Sequence, residues 1–376
     1  MKRLLILLPL LLVGCAALIG TDNGIVPASP STTTPPSIPT DVALTPTQLP
    51  AVDEPVQVGP SPTPFVPMLT QVTEPGCCVD PFWSPEGDQV RFVDRPNELA
   101  ATGIYGVGLS GGEPQLIDER ITYTSADQRY RLYRIGNQTV VEDTTTATQF
   151  NIPSEGRRVY FSPNSQQIIW NVSPAWGGDF DRRPTDIWIA NVDGTGSQVL
   201  LRVYGGGFTG WLDEQRILIS GKANPDEVDR ALYAYNISDG SQLELLRQER
   251  VRNIRVSPNG DWVALVITFD QQEPELNGLW VFKTDGSSRH KLQVFGAIDW
   301  RGPDHLLIIP LEIDAPSHRI LQFDARSNDL SEIVSPTQVS FRVAQGDWDV
   351  SPTGDHLVFL SAGDEALYVL SLPPLE

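Results

Sequence analysis

Short runs of hydrophobic residues alternate with polar turns along residues 251–295, and this stretch shows the repeating unit of the chain. Four runs rich in β-branched and aromatic residues are separated by the turn Ser257-Pro-Asn-Gly-Asp261, a longer polar loop and the turn Thr284-Asp-Gly286. Runs of this length, bounded by Pro, Gly, Asn and Asp, are typical of antiparallel strands joined by hairpin turns. The pattern therefore predicts a four-stranded antiparallel sheet.

The first turn of this unit recurs along the chain. Its copies begin at Ser84, Ser125, Ser162, Trp211, Ser257, Trp300 and Ser351, and successive copies lie 37 to 51 residues apart. A repeat of that size with four strands predicts a β-propeller, because one blade cannot bury both of its faces without neighbours. We predict an all-β fold, a single propeller of seven four-stranded blades. Six blades are the alternative, because the copies at 125, 211 and 300 lack the Ser-Pro or the Gly.

The two ends of the repeat region complement each other. The last repeat stops near Leu372 without a fourth strand, whereas residues 66–72 resemble the fourth strands of other repeats. We predict that this N-terminal strand completes the last blade and closes the ring, which removes two exposed sheet edges.

The repeat also carries a family resemblance. Turns such as Ser257-Pro-Asn-Gly260, followed by an aliphatic run and a strand such as Leu279-Trp-Val281, resemble the repeats of TolB-like propellers, with a WD-like blade size. Such repeats also occur in the propeller domains of prolyl oligopeptidase relatives. The resemblance covers roughly residues 80–372 and implies a propeller. The six blades and N-terminal α/β domain of TolB itself do not match this sequence.

The N-terminal residues predict export and anchoring. Met1-Lys2-Arg3 precedes a short apolar run that ends in Leu12-Val13-Gly14-Cys15, which resembles the lipobox of bacterial lipoproteins. We predict a lipoprotein signal peptide at 1–14 and lipidation of Cys15, with an ordinary secretory signal as the alternative. A Pro/Ser/Thr-rich stretch at 15–65 predicts a disordered linker, and the propeller occupies 66–376. The expected location is extracytoplasmic, in the bacterial cell envelope, with a lipid anchor in a membrane.

Charge and motif content exclude several functions. A formal net charge of -20 argues against nucleic acid as a partner, because phosphate binding needs clustered Lys and Arg. Four His residues lack metal-ligand spacing, so we predict no metal and no cofactor. The pattern Gly108-Leu-Ser-Gly-Gly112 lies in a hairpin rather than between a strand and a helix, so we do not interpret it as a nucleophile elbow.

The loops between second and third strands carry the candidate binding residues. These loops are long and charged, and in a propeller they emerge on one face, where ligands are usually bound. The candidates are Trp176, Asp179, Asp181, Arg182, Arg183, Asp226, Glu227 and Asp229. The alternative is that these loops are only solvated.

Cys77 and Cys78 are adjacent in a chain that we expect to be exported. A vicinal disulfide would be strained and reducible, which suggests a redox switch. The alternatives are a structural bridge or two small buried residues.

These patterns predict a membrane-tethered, non-catalytic scaffold that binds a protein or another ligand. We expect a monomer with an envelope protein or a glycan as its partner. A structural envelope role similar to that of TolB would require one abundant protein partner. The alternative class is an enzyme, a hydrolase or lyase acting on a sugar or lactone at the central opening. That alternative requires two or three carboxylates, or a His-carboxylate pair, around the opening.

Overall fold

Strands dominate the part of the chain that the structure describes. This computed structural model describes residues 58–59, 65–96, 99–175 and 177–375. Within these ranges the helices are two three-residue 3-10 turns, Phe180–Arg182 and Pro274–Leu276. The predicted signal peptide, Cys15, most of the predicted linker and Trp176 lie outside the described residues.

The strands have the following bounds in chain order: β1 (Val58–Gly59), β2 (Leu69–Gln71), β3 (Val79–Trp83), β4 (Gln89–Asp94), β5 (Gly103–Gly108), β6 (Gln115–Asp118), β7 (Tyr123–Thr124), β8 (Tyr130–Ile135), β9 (Gln138–Asp143), β10 (Thr148–Ile152), β11 (Val159–Phe161), β12 (Gln167–Val172), β13 (Pro184–Asn191), β14 (Gln198–Trp211), β15 (Arg216–Lys222), β16 (Ala231–Asn236), β17 (Gln242–Arg247), β18 (Val251–Val256), β19 (Trp262–Ile267), β20 (Gly278–Lys283), β21 (Arg289–Leu292), β22 (Gly296–Trp300), β23 (His305–Pro310), β24 (Ile320–Asp324), β25 (Asp329–Val334), β26 (Val343–Val350), β27 (His356–Ser361) and β28 (Leu367–Ser371).

These strands form a single β-propeller, but the blade count differs from the prediction. Five four-stranded antiparallel blades are separate sheets: β3–β6, β7–β10, β18–β21, β22–β25, and β26–β28 with β2. The short β1 extends one of them by pairing parallel to β25. The remaining strands, β11–β17, form one continuous seven-stranded sheet. The predictions of seven or six separate four-stranded blades are therefore wrong.

The seven-stranded sheet exists because β14 is one long strand. Its first part pairs with β13 and its last part with β15, with a register shift between Tyr204 and Gly207. Gly205 has a φ of +66°, and a Cβ on Gly206 would lie 1.8 Å from the Ser220 carbonyl oxygen. Glycine adopts a positive φ most readily, and the close approach at Gly206 leaves no room for a Cβ. The glycine run thus carries the chain from one antiparallel meander to the next without a loop.

The ring is closed by the N-terminal strand, as predicted. β2 pairs antiparallel to β28, with Leu69 opposite Leu370 and Gln71 opposite Tyr368. Because β28 is followed closely by the end of the repeat region, β2 supplies the outer strand that the last blade lacks. The closing blade therefore joins the two ends of the described fold.

The hydrophobic core lies between neighbouring blades. One buried cluster joins Trp262 and Val281 of one blade to Trp300 and Phe323 of the next. Another joins the first and last blades through Trp83, Phe92, Val358 and Leu367, among others. Burying a large apolar side chain contributes roughly 1.5–3 kcal/mol, so the contacts between blades are a main source of stability.

The turns after the first strands share one hydrogen-bond pattern. In five of them a buried serine hydroxyl accepts a hydrogen bond from the backbone N–H five residues later, at Ser84, Ser125, Ser162, Ser257 and Ser351. At Ser257 the acceptor distance to Trp262 N is 3.0 Å, and the same hydroxyl donates to Asn259 Oδ1 at 2.8 Å. We call the side of the propeller that carries these turns the turn face. The opposite side, with the second-to-third-strand loops and the connections between blades, is the loop face.

Candidate functional site

The loops of the loop face are attached to the connections between blades. The backbone N–H of Gln248, in a connection, donates to the Arg230 carbonyl at 2.9 Å, and Gly205 N–H donates to Arg183 O at 2.9 Å. Loops on a rigid scaffold are common binding sites. The loop face therefore has both the variation and the support that a binding surface needs.

The structure brings two groups of the predicted binding residues together. Asp179 caps the 3-10 turn Phe180–Arg182 by accepting a hydrogen bond from Asp181 N at 3.1 Å. Arg182 in this loop forms an ion pair with Asp226 of the next loop, and it also donates to the Pro225 carbonyl at 3.3 Å. Residues 179–183 and 225–229 thus form a continuous patch.

Two arginines that the sequence analysis did not select complete this patch. Arg230 donates to the Gly205 carbonyl at 3.1 Å and pairs with Glu249, while its Nη2 lies 3.8 Å from Asp181 Oδ1. Arg247 pairs with Glu227 at 3.0 Å and donates to the Asp229 carbonyl at 3.3 Å. Their position opposite the loop carboxylates depends on strand pairing, which residue spacing alone does not reveal.

The predicted charged residues therefore mainly hold the loops together. Arg182 is paired with Asp226, Glu227 with Arg247, and the Arg183 guanidinium lies 4.6 Å from the centre of the Phe180 ring. Exposed ion pairs of this type contribute about 0–1 kcal/mol each, but they fix loop conformation. The patch is a preformed surface rather than a set of free charges.

Exposed apolar side chains on the same face were not predicted as a site. Leu99 is 99%, Val228 83%, Phe269 82% and Ile313 83% exposed. Further exposed residues of the second-to-third-strand connections are Ile135, Phe180 and Leu311. Single exposed apolar side chains are normal on soluble proteins, but their occurrence on several loops of one face makes this face a candidate interaction surface.

Phe269 shows why this surface was missed. In the sequence, Phe269 follows closely on the apolar run that starts at Trp262, but β19 ends at Ile267. Phe269 has a φ of +59° and points into solvent. The signal in the sequence is an apolar residue inside a polar loop, which periodicity alone does not distinguish from the end of a strand.

The central opening is a second candidate site. The first strands of neighbouring blades contact one another, as β26 does with β3 and with β22, and as β22 does with β18. Trp300 Nε1 donates to the Arg255 carbonyl at 3.1 Å, and Trp83 Nε1 donates to the Asp349 carbonyl at 3.1 Å. This repeated bond between blades places Arg255, Asp299 and Asp349 at corresponding positions on three inner strands.

Asp349 carries a buried carboxyl group whose pKa is affected by Asp299 on the neighbouring inner strand. Burial, followed by the charge of Asp299, raises the pKa of Asp349 to about 7, although Trp83 N donates to its Oδ2 at 3.2 Å. Burial also raises the pKa of Asp299, opposed by the backbone N–H of Trp300 and by Arg255. A carboxyl group with a pKa near 7, such as that of Asp349, can exchange a proton near neutral pH, as a general acid or base must.

The described residues contain neither a metal-binding cluster nor a helix that could cross a membrane. Across 65–96, 99–175 and 177–375, no three His, Cys, Asp or Glu side chains are grouped so that they could hold a metal ion. Neither 3-10 turn in those ranges is long and apolar enough to span a bilayer.

Comparisons with known proteins agree on the fold. No protein-family model matches the chain, and no curated protein sequence matches it. The structure of an oligogalacturonate lyase in complex with manganese superposes with a TM-score of 0.58 at 13% identity, over 81% of this chain and 93% of that chain. The β-propeller domain of the trilobed protease from Pyrococcus furiosus superposes with a TM-score of 0.53 at 13% identity, over 80% and 98%. The fold is a β-propeller.

A putative TolB from Agrobacterium tumefaciens is also similar, with a TM-score of 0.41 at 14% identity, over 70% of this chain and 95% of that chain. A superposition at that level carries no argument about function. The other two similarities are below 25% identity, so they show the fold alone.

Proposed function

We propose that this propeller is a lipid-anchored binding scaffold of the bacterial cell envelope that docks a protein partner on its loop face. The observation that carries the proposal is the set of exposed apolar side chains on successive loops, including Leu99, Val228, Phe269 and Ile313. Covering apolar surface contributes about 25 cal/mol per Å², so a partner that buries these side chains together gains substantial affinity.

Charge on the loop face favours a basic partner surface. Glu273 and Asp314 lie in the same loops as Phe269 and Ile313, and neither carboxylate forms an ion pair with any residue that the structure describes. With a net charge of -20, the protein attracts cationic surfaces over a distance of about 10 Å or less at physiological salt. The partner we propose therefore combines exposed apolar groups with Lys or Arg at its rim.

The direction of the closing strand suits this role. β28 runs from the loop face to the turn face, and β2 is antiparallel to it, so the chain enters β2 from the turn face. The Met68 N–H donates to Ser371 Oγ at 2.7 Å at that end. The linker that we propose between a lipid on Cys15 and the propeller would therefore reach β2 at the turn face, away from the loop face. We propose that the protein is a monomer when unbound.

The test is site-specific photo-crosslinking in cells with the full-length protein. A photoreactive residue at Phe269 should capture one dominant envelope protein, whereas the same residue at the exposed Thr353 on the turn face should not. The captured protein is then purified, and its affinity for wild type is compared with that for the triple variant V228S/F269S/I313S. We expect a loss of about 100-fold or more for the variant, because three apolar contacts are lost. Equal capture at both positions, or unchanged affinity of a folded triple variant, would contradict the proposal.

An enzyme is the second candidate function, and the Asp299–Asp349 pair favours it. A carboxylate that titrates near neutral pH beside a second carboxylate can serve as the acid of a hydrolase or lyase acting on a sugar or lactone. The test is a turnover screen with uronic-acid oligosaccharides and lactones. Activity should be lost in Asp349→Asn and retained in Arg182→Ala. Absence of turnover on both substrate classes would remove this candidate.

A further inference from the structure

The connection between the closing strand β2 and the inner strand β3 contains a disulfide between Cys77 and Cys78. This connection, including both cysteines, lines a cleft of about 730 Å³ on the loop face, between the first and last blades. Val79, Val93, Val343 and Leu360 contribute to the apolar wall of the cleft, and Asp94, Arg95 and Glu365 contribute charged groups.

The two sulfurs of this disulfide differ in their surroundings. Cys78 is 9% exposed and belongs to the buried cluster that contains Trp83 and Leu360. Cys77 is only half-buried and packs at the edge of the same cluster. Cys77 is therefore the more exposed of the two cysteines and the better target for a thiolate that enters the cleft.

Cys77 also has a hydrogen-bond partner for its reduced form. Thr73 Oγ1 lies 3.0 Å from Cys77 Sγ, and the same oxygen accepts the Leu367 N–H at 2.9 Å. A thiol at Cys77 can donate to Thr73 Oγ1 without displacing a protein group. The reduced state is thus accommodated in the folded protein.

We propose that Cys77–Cys78 is a thiol–disulfide exchange site whose substrate is the dithiol of a protein that reaches the cleft. The proposal does not depend on which partner docks on the apolar loops. A partner thiolate attacks Cys77 Sγ, the Cys77–Cys78 bond breaks, and Cys78 Sγ leaves and takes up a proton. The second partner thiolate then attacks the partner sulfur of the mixed disulfide and releases Cys77, which is protonated. The partner is oxidised to its disulfide, and two electrons and two protons pass to this protein.

Reduction also changes the closure of the ring. Three hydrogen bonds attach the connection to the last blade: Val72 N to Leu367 O, Gly76 N to Glu365 O, and Leu367 N to Thr73 Oγ1. Breaking the disulfide allows the Cys77 and Cys78 side chains to rotate independently beside these bonds. We therefore expect reduction to alter the cleft and to increase amide exchange in residues 69–78.

The experiment uses the full-length protein and reduced thioredoxin as the dithiol probe, with alkylation and peptide mapping to follow residues 77 and 78 separately from Cys15. In wild type, thioredoxin should reduce the pair without unfolding, and hydrogen exchange should rise in residues 69–78. A pair that becomes reducible only in denaturant would overturn the proposal and leave a purely structural bridge.

A matched pair of variants tests which sulfur is attacked. Cys78→Ser keeps the more exposed Cys77 thiol, and Cys77→Ser keeps the buried Cys78 thiol. The Cys77 thiol should react with dithiobis(nitrobenzoate), which forms a mixed disulfide and releases nitrothiobenzoate, about tenfold faster than the Cys78 thiol. Circular dichroism checks that both variants are folded. Equal rates in folded variants would contradict the assignment of Cys77 as the attacked sulfur. If either variant is unfolded, the wild-type reduction and exchange measurements decide the proposal.

Discussion

The turn face and the loop face of this propeller differ in the regularity of their connections. On the turn face, five buried serines repeat one hydrogen-bond pattern, so that these five turns share one conformation at their start. On the loop face, lengths vary, charges pair across loops, and large apolar side chains such as Leu99 and Phe269 are exposed. The difference indicates that turn geometry stabilises the ring, while the loop face accommodates loops of different length and composition.

Close packing between neighbouring turns constrains the sequence at parts of the turn face. A Cβ on Gly260 would lie 1.5 Å from the Leu212 carbonyl oxygen of the neighbouring turn, and one on Gly354 would lie 2.3 Å from Arg301 O. Both glycines also have a positive φ, +71° and +73°. These two turns therefore pack directly against their neighbours, which leaves no room for a side chain at either glycine.

The largest expected effect is on a turn-face glycine. Gly260→Ala should lower the free energy of unfolding by about 3 kcal/mol or more, because it combines an unfavourable φ with a backbone collision. Gly177→Ala on the loop face, where a Cβ would have no neighbour within 4 Å, should change it by less than about 1 kcal/mol. Urea denaturation measures both. Similar losses in the two variants would show that the faces do not differ in their tolerance of change.

The central carboxylates should show an intermediate effect that depends on pH. The pKa of Asp349 is raised to about 7 in the folded state by burial and then by Asp299, against an ordinary value of about 3.9 in the unfolded chain. The folded state thus binds the proton more tightly, so stability is full below about pH 4 and falls as the pH rises to about 7. We expect the free energy of unfolding of the wild type to fall by roughly 1–3 kcal/mol across this range, and that of Asp349→Asn to fall much less.

Denaturation curves at several pH values between 4 and 8 check this prediction. Asp226→Asn, which changes an exposed loop carboxylate, is the control and should keep the wild-type profile. If the stability of Asp349→Asn depends on pH in the same way as that of the wild type, Asp349 is not the cause of the pH dependence.

The smallest effect should come from the ion pair that joins two loops. Arg182→Ala removes an exposed pair with Asp226 and should cost about 0–1 kcal/mol of unfolding free energy. Ser257→Ala on the turn face should cost about 1–3 kcal/mol, because the buried Trp262 N–H loses its acceptor. Thermal denaturation of the two variants side by side decides the order. A larger loss for Arg182→Ala would mean that loop pairing stabilises the fold more than turn geometry does.

The candidate sites were predictable only in part. Asp179, Asp181, Arg182 and Asp226 were identified from loop length and charge, and the structure places them in one patch. Their partners Arg230 and Arg247 were not identified, because they face those loops only after neighbouring strands pair. The Asp299–Asp349 pair was missed for the same reason, since residues 50 positions apart in sequence meet only where inner strands converge.

The sequence by itself determined the antiparallel blades, their turns and the closing role of β2, because these features depend on local periodicity, turn residues and a missing outer strand. Only the tertiary structure decided how many blades are separate sheets, because the fusion through β14 depends on a glycine backbone that packs against a distant strand. It also decided which charges are neutralised and which apolar groups remain exposed. Those properties depend on distances between segments far apart in the chain, and no local pattern encodes them.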